Sequence, residues 1–525
     1  MSLQIQHDYR GAYHFSPARG WMNDPNGMVY LDGEYHLFFQ YHPFGETWGP
    51  MHWGHAVSDN LVHWRELPIA LEPDELGTIF SGSAVVDWHN TTGFFPEQPG
   101  LVAIFTHHDE QPGQMVRQSQ SLAYSHDRGR TWQKYAGNPV LTCETRPDFR
   151  DPKVFRYEPD NSWIMIVTCG QTVALYRSSN LLQWSELSVF GEGIGSHDGV
   201  WECPDLFPLP VHNGEPDEQR WIMLVSIGDA GTSAEGSRTQ YFIGQFDGMH
   251  FIPDEASQQV RWLDHGRDNY AGVSWSDIPA ADGRRLYIGW MSNWRYANTT
   301  PTGSWRGAMT IARELLLEKG VDGSLQLLQI PVSELEQCRH SLLQLEQATP
   351  EQVRTALAPL RLRSYELHVV LPTTASVEWE VLSDGQHRTV IGVDAVAGTL
   401  YIDRTVSGDV VFHDHFAGRH EAVLSANEAA LSAHVQVREL RIFVDRGSVE
   451  VFADGGLVVM TDLVFPTAGA ERLGLRSCSD EQNEKPRISV AVYDVSTSRQ
   501  ALQHLLIQDT GDAGMYDDKN VQTNT

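Results

Sequence analysis

Three carboxylates stand in turn-prone motifs that contain proline, and together they have the chemistry to cleave a glycosidic bond. Asp24 lies in W-M-N-D-P-N-G, Asp151 in F-R-D-P-K-V and Glu202 in W-E-C-P-D-L-F. Two carboxylates that share one pocket do not stay equivalent, because desolvation and mutual repulsion raise the pKa of one of them. The group that keeps its proton becomes a general acid and the ionised group becomes a nucleophile or base, as glycoside hydrolysis requires.

Glu202 is the better candidate for the acid. Trp201 and Cys203 flank it with weakly polar bulk, and a thiol donates only weak hydrogen bonds. Asp24 is then the candidate nucleophile. A structural alternative exists for Asp24, since Asn26-Gly27 is typical of a tight turn that leads into a strand, and an Asp can cap such a turn.

Asp151 directly follows Arg150 in the sequence. An aspartate beside a guanidinium is expected to stay ionised and to accept hydrogen bonds from sugar hydroxyls. The role that fits this residue is stabilisation of positive charge at the anomeric carbon. The alternative is again an Asp that only caps its turn.

The elements that position these carboxylates appear as repeats. Three segments share a Ser, a turn that contains Asp or Asn, and a closing Trp: S-D-N-L-V-H-W at 58–64, S-H-D-R-G-R-T-W at 125–132 and S-S-N-L-L-Q-W at 178–184. Their spacing suits one four-stranded propeller blade with its loops. We expect the closing Trp residues to lie in the blade cores.

Five polar, turn-prone clusters interleave with these repeats. They are N-D-P-N-G at 23, F-S-G-S at 80, R-D-P at 150, E-C-P-D at 202 and D-N-Y-A-G at 268. Each cluster adjoins a short β-rich run, which predicts an all-β chain whose residues 1–330 form a five-bladed β-propeller. Because the innermost strand of each blade faces the central axis, the five clusters should converge on one funnel.

Beyond residue 330 the pattern changes. The segment 332–345 spaces Leu335, Leu342 and Leu343 as a short amphipathic helix would, and residues 331–348 are predicted to be a linker. Short alternating strands with Gly and Asp turns predict a β-sandwich over residues 349–508. Residues 509–525 are polar and aperiodic, so a frayed tail is expected there.

Composition and charge narrow the possible partners. The chain has 38 Lys plus Arg against 68 Asp plus Glu, a formal charge of -30, which disfavours nucleic acid, anionic membranes and polyanionic substrates. The five scattered cysteines and the absence of a signal-like N-terminal segment predict a cytoplasmic protein, or a secreted one if a signal peptide has been trimmed. We expect no cofactor and no metal, and the oligomeric state stays open.

Several motifs, taken in order, closely resemble glycoside hydrolase family 32, which contains the invertases, levanases and exo-inulinases. They are W-M-N-D-P-N-G, F-S-G-S-A-V, F-R-D-P-K-V, W-E-C-P-D-L-F and G-W-M-S-N-W, followed in the second domain by F-V-D-R-G-S-V-E-V-F at 443–452. The resemblance extends from about Tyr13 to the end of the predicted sandwich. Q-Y-H-P-F-G-E-T-W-G-P-M-H-W-G-H-A at 40–56 is most similar to the bacterial levanase and exo-fructosidase branch.

This resemblance implies Asp24 as nucleophile, Glu202 as acid/base and Asp151 as transition-state stabiliser, in agreement with the residue chemistry. Asn269 departs from the aromatic residue that the family usually has before the Tyr of D-N-Y-A-G, which bears on the shape of the pocket wall. The resemblance also implies which residues line the pocket for a terminal fructosyl unit: Asn23, Gln40, Trp48, Phe80, Ser81, Arg150, Tyr270 and Trp290.

The sequence thus predicts a retaining, exo-acting β-D-fructofuranosidase whose partners are neutral fructose-containing sugars. One alternative is a fructosyltransferase with the same catalytic residues. Another, of a different class, is a carbohydrate-binding protein without catalysis, and the presence of all three acids speaks against it. The preference among sucrose, inulin and levan stays open.

Overall fold

The computed structural model describes residues 9–113, 115–231, 233–424, 437–480 and 486–495. Within these ranges the regular secondary structure is almost entirely β-strand, with two short α-helices and three short 3-10 helices. The first part forms five blades around an axis, of which the last two are joined in one sheet by parallel pairing of residues 211–212 with residues 317–318, and the second part forms two stacked sheets. This is the predicted propeller followed by a sandwich.

The five blades follow one another along the chain. Blade I contains β1 (Gly20–Leu31), β2 (Glu34–His42), β3 (His52–Ser58) and β4 (Arg65–Leu71), and blade II contains β5 (Thr78–Val86), β6 (Leu101–Asp109), β7 (Arg117–Ser125), β8 (Gln133–Lys134) and β9 (Leu141–Thr142). Blade III contains β10 (Arg150–Tyr157), β11 (Ser162–Cys169), β12 (Thr172–Ser178) and β13 (Ser185–Phe190). Blade IV contains β14 (Trp201–His212), β15 (Gln219–Ile227), β16 (Arg238–Phe246) and β17 (Phe251–Pro253). Blade V contains β18 (Tyr270–Ser274), β19 (Arg285–Trp290), β21 (Arg313–Lys319) and β22 (Leu325–Pro331), while β20 (Trp305–Arg306) pairs with β1.

The innermost strands β1, β5, β10, β14 and β18 form a closed ring. Each contacts the next in this order, and β18 returns to β1. Backbone hydrogen bonds complete the closure, with Ser276 N–H donating to Met28 O over 2.9 Å and Tyr30 N–H donating to Ser276 O over 3.0 Å. The axis is therefore surrounded by five strands, one from each blade.

The Ser-to-Trp repeats occupy the same place in three blades. Each joins the third and fourth strands of blade I, II or III. The turn places one residue of each repeat at positive φ, namely Leu61 at 62°, Arg128 at 56° and Leu181 at 63°. The closing Trp side chains are partly buried and pack against the blade cores, as the sequence predicts.

Two sheets form the second domain, and a short connection precedes them. The connection holds α1 (Glu334–Gln337), and α2 (Pro350–Leu357) follows the first sandwich strand. One sheet has the order β23 (His340–Ala348), β33 (Ile488–Asp494), β24 (Tyr365–Pro372), β29 (Val437–Asp445), β30 (Ser448–Ala453), β31 (Val458–Leu463). The other has the order β28 (Arg419–Val423), β27 (Thr399–Asp403), β26 (Thr389–Asp394), β25 (Ala375–Ser383), β32 (Arg472–Asp480). Short 3-10 helices span Glu255–Gln258, Ala297–Thr299 and Asp454–Gly456.

The predicted linker is shorter in the structure. The helix ends at Gln337, and residues 340–348 form β23, in which Leu343 and Leu345 pair with Val492 and Val490. These two leucines alternate with polar residues, which is the period of a half-buried strand and outweighs the helical spacing. Residues 340–348 therefore belong to the sandwich. Residues 496–525, with the predicted tail, lie outside the described ranges, and no helix within those ranges is long and apolar enough to cross a membrane.

Buried charges join the two domains. His14 of the propeller lies 2.8 Å from Asp445 and 2.8 Å from Glu450 of the sandwich. Arg313 lies 2.6 Å from Glu450 and 3.2 Å from Asp264. Because each buried charge has a partner of opposite sign at hydrogen-bond distance, the interface satisfies groups that would be costly to bury alone.

Candidate active site

Every innermost strand carries a β-bulge in which two residues face one residue of the second strand. The bulged pairs are residues 23–24 in β1, 80–81 in β5, 151–152 in β10, 203–204 in β14 and 271–272 in β18. A bulge bends the strand and redirects its side chains. The five polar clusters of the sequence are these bulges, so the predicted convergence is found.

The bulges explain why the motifs are rich in turn-forming residues. Residues 23–27 do not form the expected tight turn but lie inside β1, where the ladder has register shifts on either side of Pro25 and Asn26. Asp151, Cys203 and Ala271 adopt positive φ values of 64°, 45° and 54°. Such strained backbone often marks functional sites. In β10 the residue at positive φ is Asp151 itself, and in β14 it is Cys203, which directly follows Glu202.

The bulges open onto a cavity of about 300 Å³, at the lower end of the range for ligand pockets. All predicted site residues except Tyr270 and Trp290 lie in its wall. The full set of lining residues is Asn23, Asp24, Gln40, Trp48, Phe80, Ser81, His108, Glu110, Gln118, Asp148, Arg150, Asp151, Glu202 and Trp294.

Asp24 is held as a hydrogen-bond acceptor. Ser81 Oγ donates to its Oδ2 over 2.7 Å, Asn23 Nδ2 donates to its Oδ1 over 3.0 Å, and Cys203 Sγ lies 3.4 Å from Oδ2. Burial and the nearby Glu202 raise the pKa of Asp24. The three donors lower it, but the pKa remains above its ordinary value. The donors fix the carboxylate in one orientation and favour its ionised form, as a nucleophile needs.

Glu202 is held from two other strands. Arg150 Nη2 donates to its Oε1 over 2.9 Å, and the Tyr270 hydroxyl donates to its Oε2. Tyr270 is buried, and burial together with Glu202 raises the pKa of its hydroxyl well above the ordinary value. The phenol therefore keeps its proton and is the donor in this hydrogen bond. Tyr270 serves the site from behind Glu202 rather than from the cavity wall.

Asp151 and Asp24 share the thiol of Cys203. The Cys203 N–H donates to Asp151 Oδ2 over 3.0 Å, and its Sγ lies 3.7 Å from the same oxygen. Burial and the surrounding carboxylates hold the pKa of this thiol well above its usual range, so it is a donor and not a nucleophile.

The surroundings of Asp151 raise its pKa, whereas the sequence predicted that Arg150 would keep it ionised. Burial raises the pKa of Asp151 to about 7, and Glu202 and Asp24 add to the shift, although Arg150 opposes it. The guanidinium of Arg150 is directed at Asp148, over 2.6 Å, and at Glu202, whereas its Nε is 3.8 Å from Asp151. Adjacency in sequence did not make Arg150 the close partner of Asp151.

Two protein-family models together match nearly all of the described chain. The model of the glycosyl hydrolases family 32 N-terminal domain matches residues 14–331, and that of the family 32 C-terminal domain matches residues 334–494. The chain belongs to glycosyl hydrolase family 32. It is therefore a glycoside hydrolase, as predicted from the order of its motifs.

Relatives within family 32 cover nearly all of the chain. A levanase of Bacillus subtilis (strain 168) is 49% identical over 482 residues, which are 90% of this chain and 69% of that protein. The crystal structure of an exo-inulinase from Aspergillus awamori has a TM-score of 0.81 at 32% identity and covers 94% of this chain and 99% of that chain. A fructofuranosidase from Schwanniomyces occidentalis complexed with fructosylnystose also has a TM-score of 0.81, at 30% identity, with the same coverage.

Trp294 lies in the cavity wall, where the family resemblance had implied Trp290. Trp290, at the end of β19, is fully buried and packs 4.8 Å from Trp294 and 5.9 Å from Trp21, measured between ring centroids. The chain turns after β19 and brings Trp294 to the cavity wall. Both residues belong to the family 32 motif G-W-M-S-N-W, and spacing within the motif did not distinguish them.

Sequence reasoning missed four further residues of the wall, His108, Glu110, Gln118 and Asp148. His108 stacks on Phe80 with a centroid distance of 4.0 Å and an interplanar angle of 4°, and its Nδ1 accepts a hydrogen bond from Gln118 over 3.1 Å. The paired strands β6 and β7 bring His108 and Gln118 together. For His108 and Gln118 the available signal was that each is a polar residue near the end of one of these two strands.

Asn269, where the sequence departs from the family pattern, does not line the cavity. Its side chain is buried, donates to Asp264 over 3.2 Å and accepts from the Tyr287 hydroxyl over 2.9 Å. Asn269 therefore supports the segment that precedes Tyr270.

Proposed function

We propose that this protein is a retaining, exo-acting β-D-fructofuranosidase that releases terminal, non-reducing β-D-fructosyl units from neutral sugars such as sucrose, fructo-oligosaccharides, inulin or levan. The observation that carries the proposal is the arrangement of Asp24, Asp151 and Glu202 around one cavity, each held by donors from neighbouring blades. The proposal assigns the fructosyl unit to the wall formed by Asn23, Gln40, Phe80, Ser81 and Trp48.

The proposed reaction has two steps. The Asp24 carboxylate attacks the anomeric carbon while Glu202 gives its proton to the departing glycosidic oxygen, so that a fructosyl ester of Asp24 and a free alcohol form. Water then attacks the same carbon, Glu202 takes a proton from that water, and Asp24 leaves as a carboxylate. Two displacements at one carbon retain its configuration.

Asp151 is assigned to charge stabilisation. Positive charge that develops on the ring in the transition state favours the ionised form of a nearby carboxylate, even where burial raises its pKa. The attraction between Asp151 and the sugar ring therefore becomes stronger as oxocarbenium character develops in the transition state.

The charge of the cavity favours unphosphorylated sugars. Asp24, Asp148, Asp151, Glu202 and Glu110 line it, and the guanidinium of Arg150 in its wall is already occupied by two carboxylates. A phosphate group would face net negative charge without a free guanidinium to neutralise it. The names of the levanase, the exo-inulinase and the fructofuranosidase complexed with fructosylnystose support fructose-containing substrates.

Exo action follows from the closed base of the funnel. Below the bulges, the axis is filled by buried side chains of the innermost strands, among them Lys153, Asp205 and Ser274. A chain end can enter such a pocket, whereas the middle of a polymer needs an open groove. The early product from inulin or levan should be free fructose.

The test is a time course of products on sucrose, inulin and levan at several substrate concentrations. The proposal expects fructose as the first product and glucose release from sucrose in equal amount. An early ladder of oligosaccharides would contradict the pocket geometry. Accumulation of longer fructosides with excess glucose would favour the fructosyltransferase alternative, and binding without turnover would favour the carbohydrate-binding alternative.

A further inference from the structure

A buried ion pair lies directly beneath the catalytic bulges and has no part in the reaction described above. Lys153 follows the bulge of β10, and Asp205 occupies the corresponding position after the bulge of β14. The exposed fractions of the two residues are 5% and 0%. Burial lowers the pKa of Lys153, and the Asp205 carboxylate opposes this shift.

The pair is tied to a third innermost strand through Ser274 of β18. Lys153 Nζ donates to the Ser274 carbonyl oxygen and lies 3.4 Å from Asp205 Oδ2. The Ser274 N–H donates to the same Oδ2 over 2.7 Å, and the Leu206 N–H donates to Oδ1 over 2.8 Å. We call Lys153, Asp205 and Ser274 the axial clasp.

The axial clasp joins strands that have no hydrogen-bonded ladder between them. In the described sheets, β10, β14 and β18 are never direct neighbours. Within the described sheets β14 and β18 are joined only indirectly, through β21 and β19, so the direct links among the three strands are contacts near the axis. A buried ion pair adds little net stability compared with apolar residues of the same shape, because desolvation offsets most of the attraction. What it supplies here is a fixed geometry among three strands.

The catalytic contacts cross the same three strands. The Cys203 N–H of β14 reaches Asp151 of β10, and the Tyr270 hydroxyl of β18 reaches Glu202 of β14. Hydrogen bonds need donor–acceptor distances of about 2.5–3.2 Å and weaken steeply when they tilt. A small shift of one strand along the axis would misplace the Glu202 proton relative to the departing oxygen.

We propose that Lys153 and Asp205 are positioning residues for the proton transfer by Glu202. This rests on the proposed fructosidase activity. The axial clasp keeps β10, β14 and β18 at the relative height at which Glu202 meets both its partners and the glycosidic oxygen. A precise acid position matters most when the leaving group is a poor one that needs a proton.

The test compares two leaving groups. Lys153→Met removes the ammonium at similar length, and Asp205→Asn keeps an oxygen for the two N–H donors while it removes the charge. Both are assayed with sucrose and with 4-nitrophenyl β-D-fructofuranoside, whose nitrophenolate leaves without a proton. We expect kcat/KM for sucrose to fall at least about tenfold more than kcat/KM for the aryl fructoside in either variant.

A matched control is Lys319→Met, since Lys319 Nζ also lies 3.4 Å from a carboxylate, that of Glu218, but Lys319 ends the third strand of blade V and its side chain is 34% exposed. Its two kcat/KM values should keep the wild-type ratio. Equal losses on both substrates in the clasp variants would overturn the proposal, and so would failure of both variants to fold, which would assign the pair to stability. Failure of the proposed function is a separate result, because wild-type protein would then hydrolyse neither substrate.

Discussion

Replacement of Ser81 by Ala tests how the bulge of β5 prepares the nucleophile. Ser81 Oγ donates the shortest of the three hydrogen bonds that Asp24 accepts, at 2.7 Å, against 3.0 Å from Asn23 and 3.4 Å from the Cys203 thiol. The bond stabilises the ionised form of Asp24, so its loss raises the pKa of this carboxyl group further above its ordinary value. The ionised nucleophile is then reached only at higher pH.

The size of the shift follows from the strength of one hydrogen bond to a charged group. Such a bond contributes about 1.5–3 kcal/mol, and one pKa unit corresponds to about 1.4 kcal/mol. Asp24 is buried, so solvent screens this interaction little. We expect the acidic limb of the profile of kcat/KM against pH to move up by about one to two pH units in Ser81→Ala.

The assay is initial-rate hydrolysis of sucrose from acidic to alkaline pH, since kcat/KM reports ionisations of the free enzyme. The plateau at higher pH separately reports any contribution of the hydroxyl to sugar binding. Ser125→Ala is the control, because Ser125 is also buried and donates to a carboxylate, that of Asp127, over 2.8 Å in a turn of blade II. An acidic limb that stays in place in Ser81→Ala would show that Asp24 does not govern it and would refute this account of the nucleophile.

Three further outcomes test the site and the domain interface. Asp24→Ala and Glu202→Ala should each lower kcat roughly a thousandfold or more without a change in the circular dichroism spectrum, and azide should partly restore turnover in Glu202→Ala alone, by attacking the fructosyl-enzyme. Asp151→Asn should lower kcat by about two orders of magnitude or more with a much smaller change in KM, because the charge matters most in the transition state; a steep rise in KM at constant kcat would mark a ground-state binder. Burial opposes protonation of His14, but its two carboxylate partners outweigh that effect and raise its pKa to about 9. The stability that its charge contributes is therefore complete below about pH 6.5 and is lost as pH rises through about 9. The free energy of unfolding of wild type, measured by calorimetry, should exceed that of His14→Gln by about 3 kcal/mol less at the upper end of this range than at the lower end. A difference that stays constant with pH would contradict the assignment.

The blade architecture was predictable because its signals are local. A Ser, an Asp or Asn turn and a Trp recur within a few residues, and the same turn with a residue at positive φ recurs in the structure at Leu61, Arg128 and Leu181. The roles of Asp24 and Glu202 were assigned from neighbouring residue types and from motifs that keep their order along the chain. Each of these signals is contained in one short segment.

The contacts of the site were not predictable in the same way. Arg150 precedes Asp151 in sequence, yet its guanidinium pairs with Asp148 and Glu202, the latter from the adjacent blade. The turn expected at Asn26-Gly27 became part of a bulged strand because the ring of five strands requires β1 to continue through it. The direction in which each site side chain points depends on the β-bulge that carries it. The bulge in turn depends on how its strand pairs with the neighbouring strand.

The sequence by itself determined the class of fold, the five clusters that meet at the axis and the carboxylates that carry the chemistry. Only the tertiary structure decided which tryptophan reaches the cavity, how far burial raises the pKa of Asp151, and that Lys153 and Asp205 meet beneath the bulges. The physical reason is the sequence separation of the interacting groups. Turns and the alternation of apolar and polar residues follow from neighbouring residues. Burial and charge pairing follow from closure of the ring, which brings together groups separated by more than fifty residues.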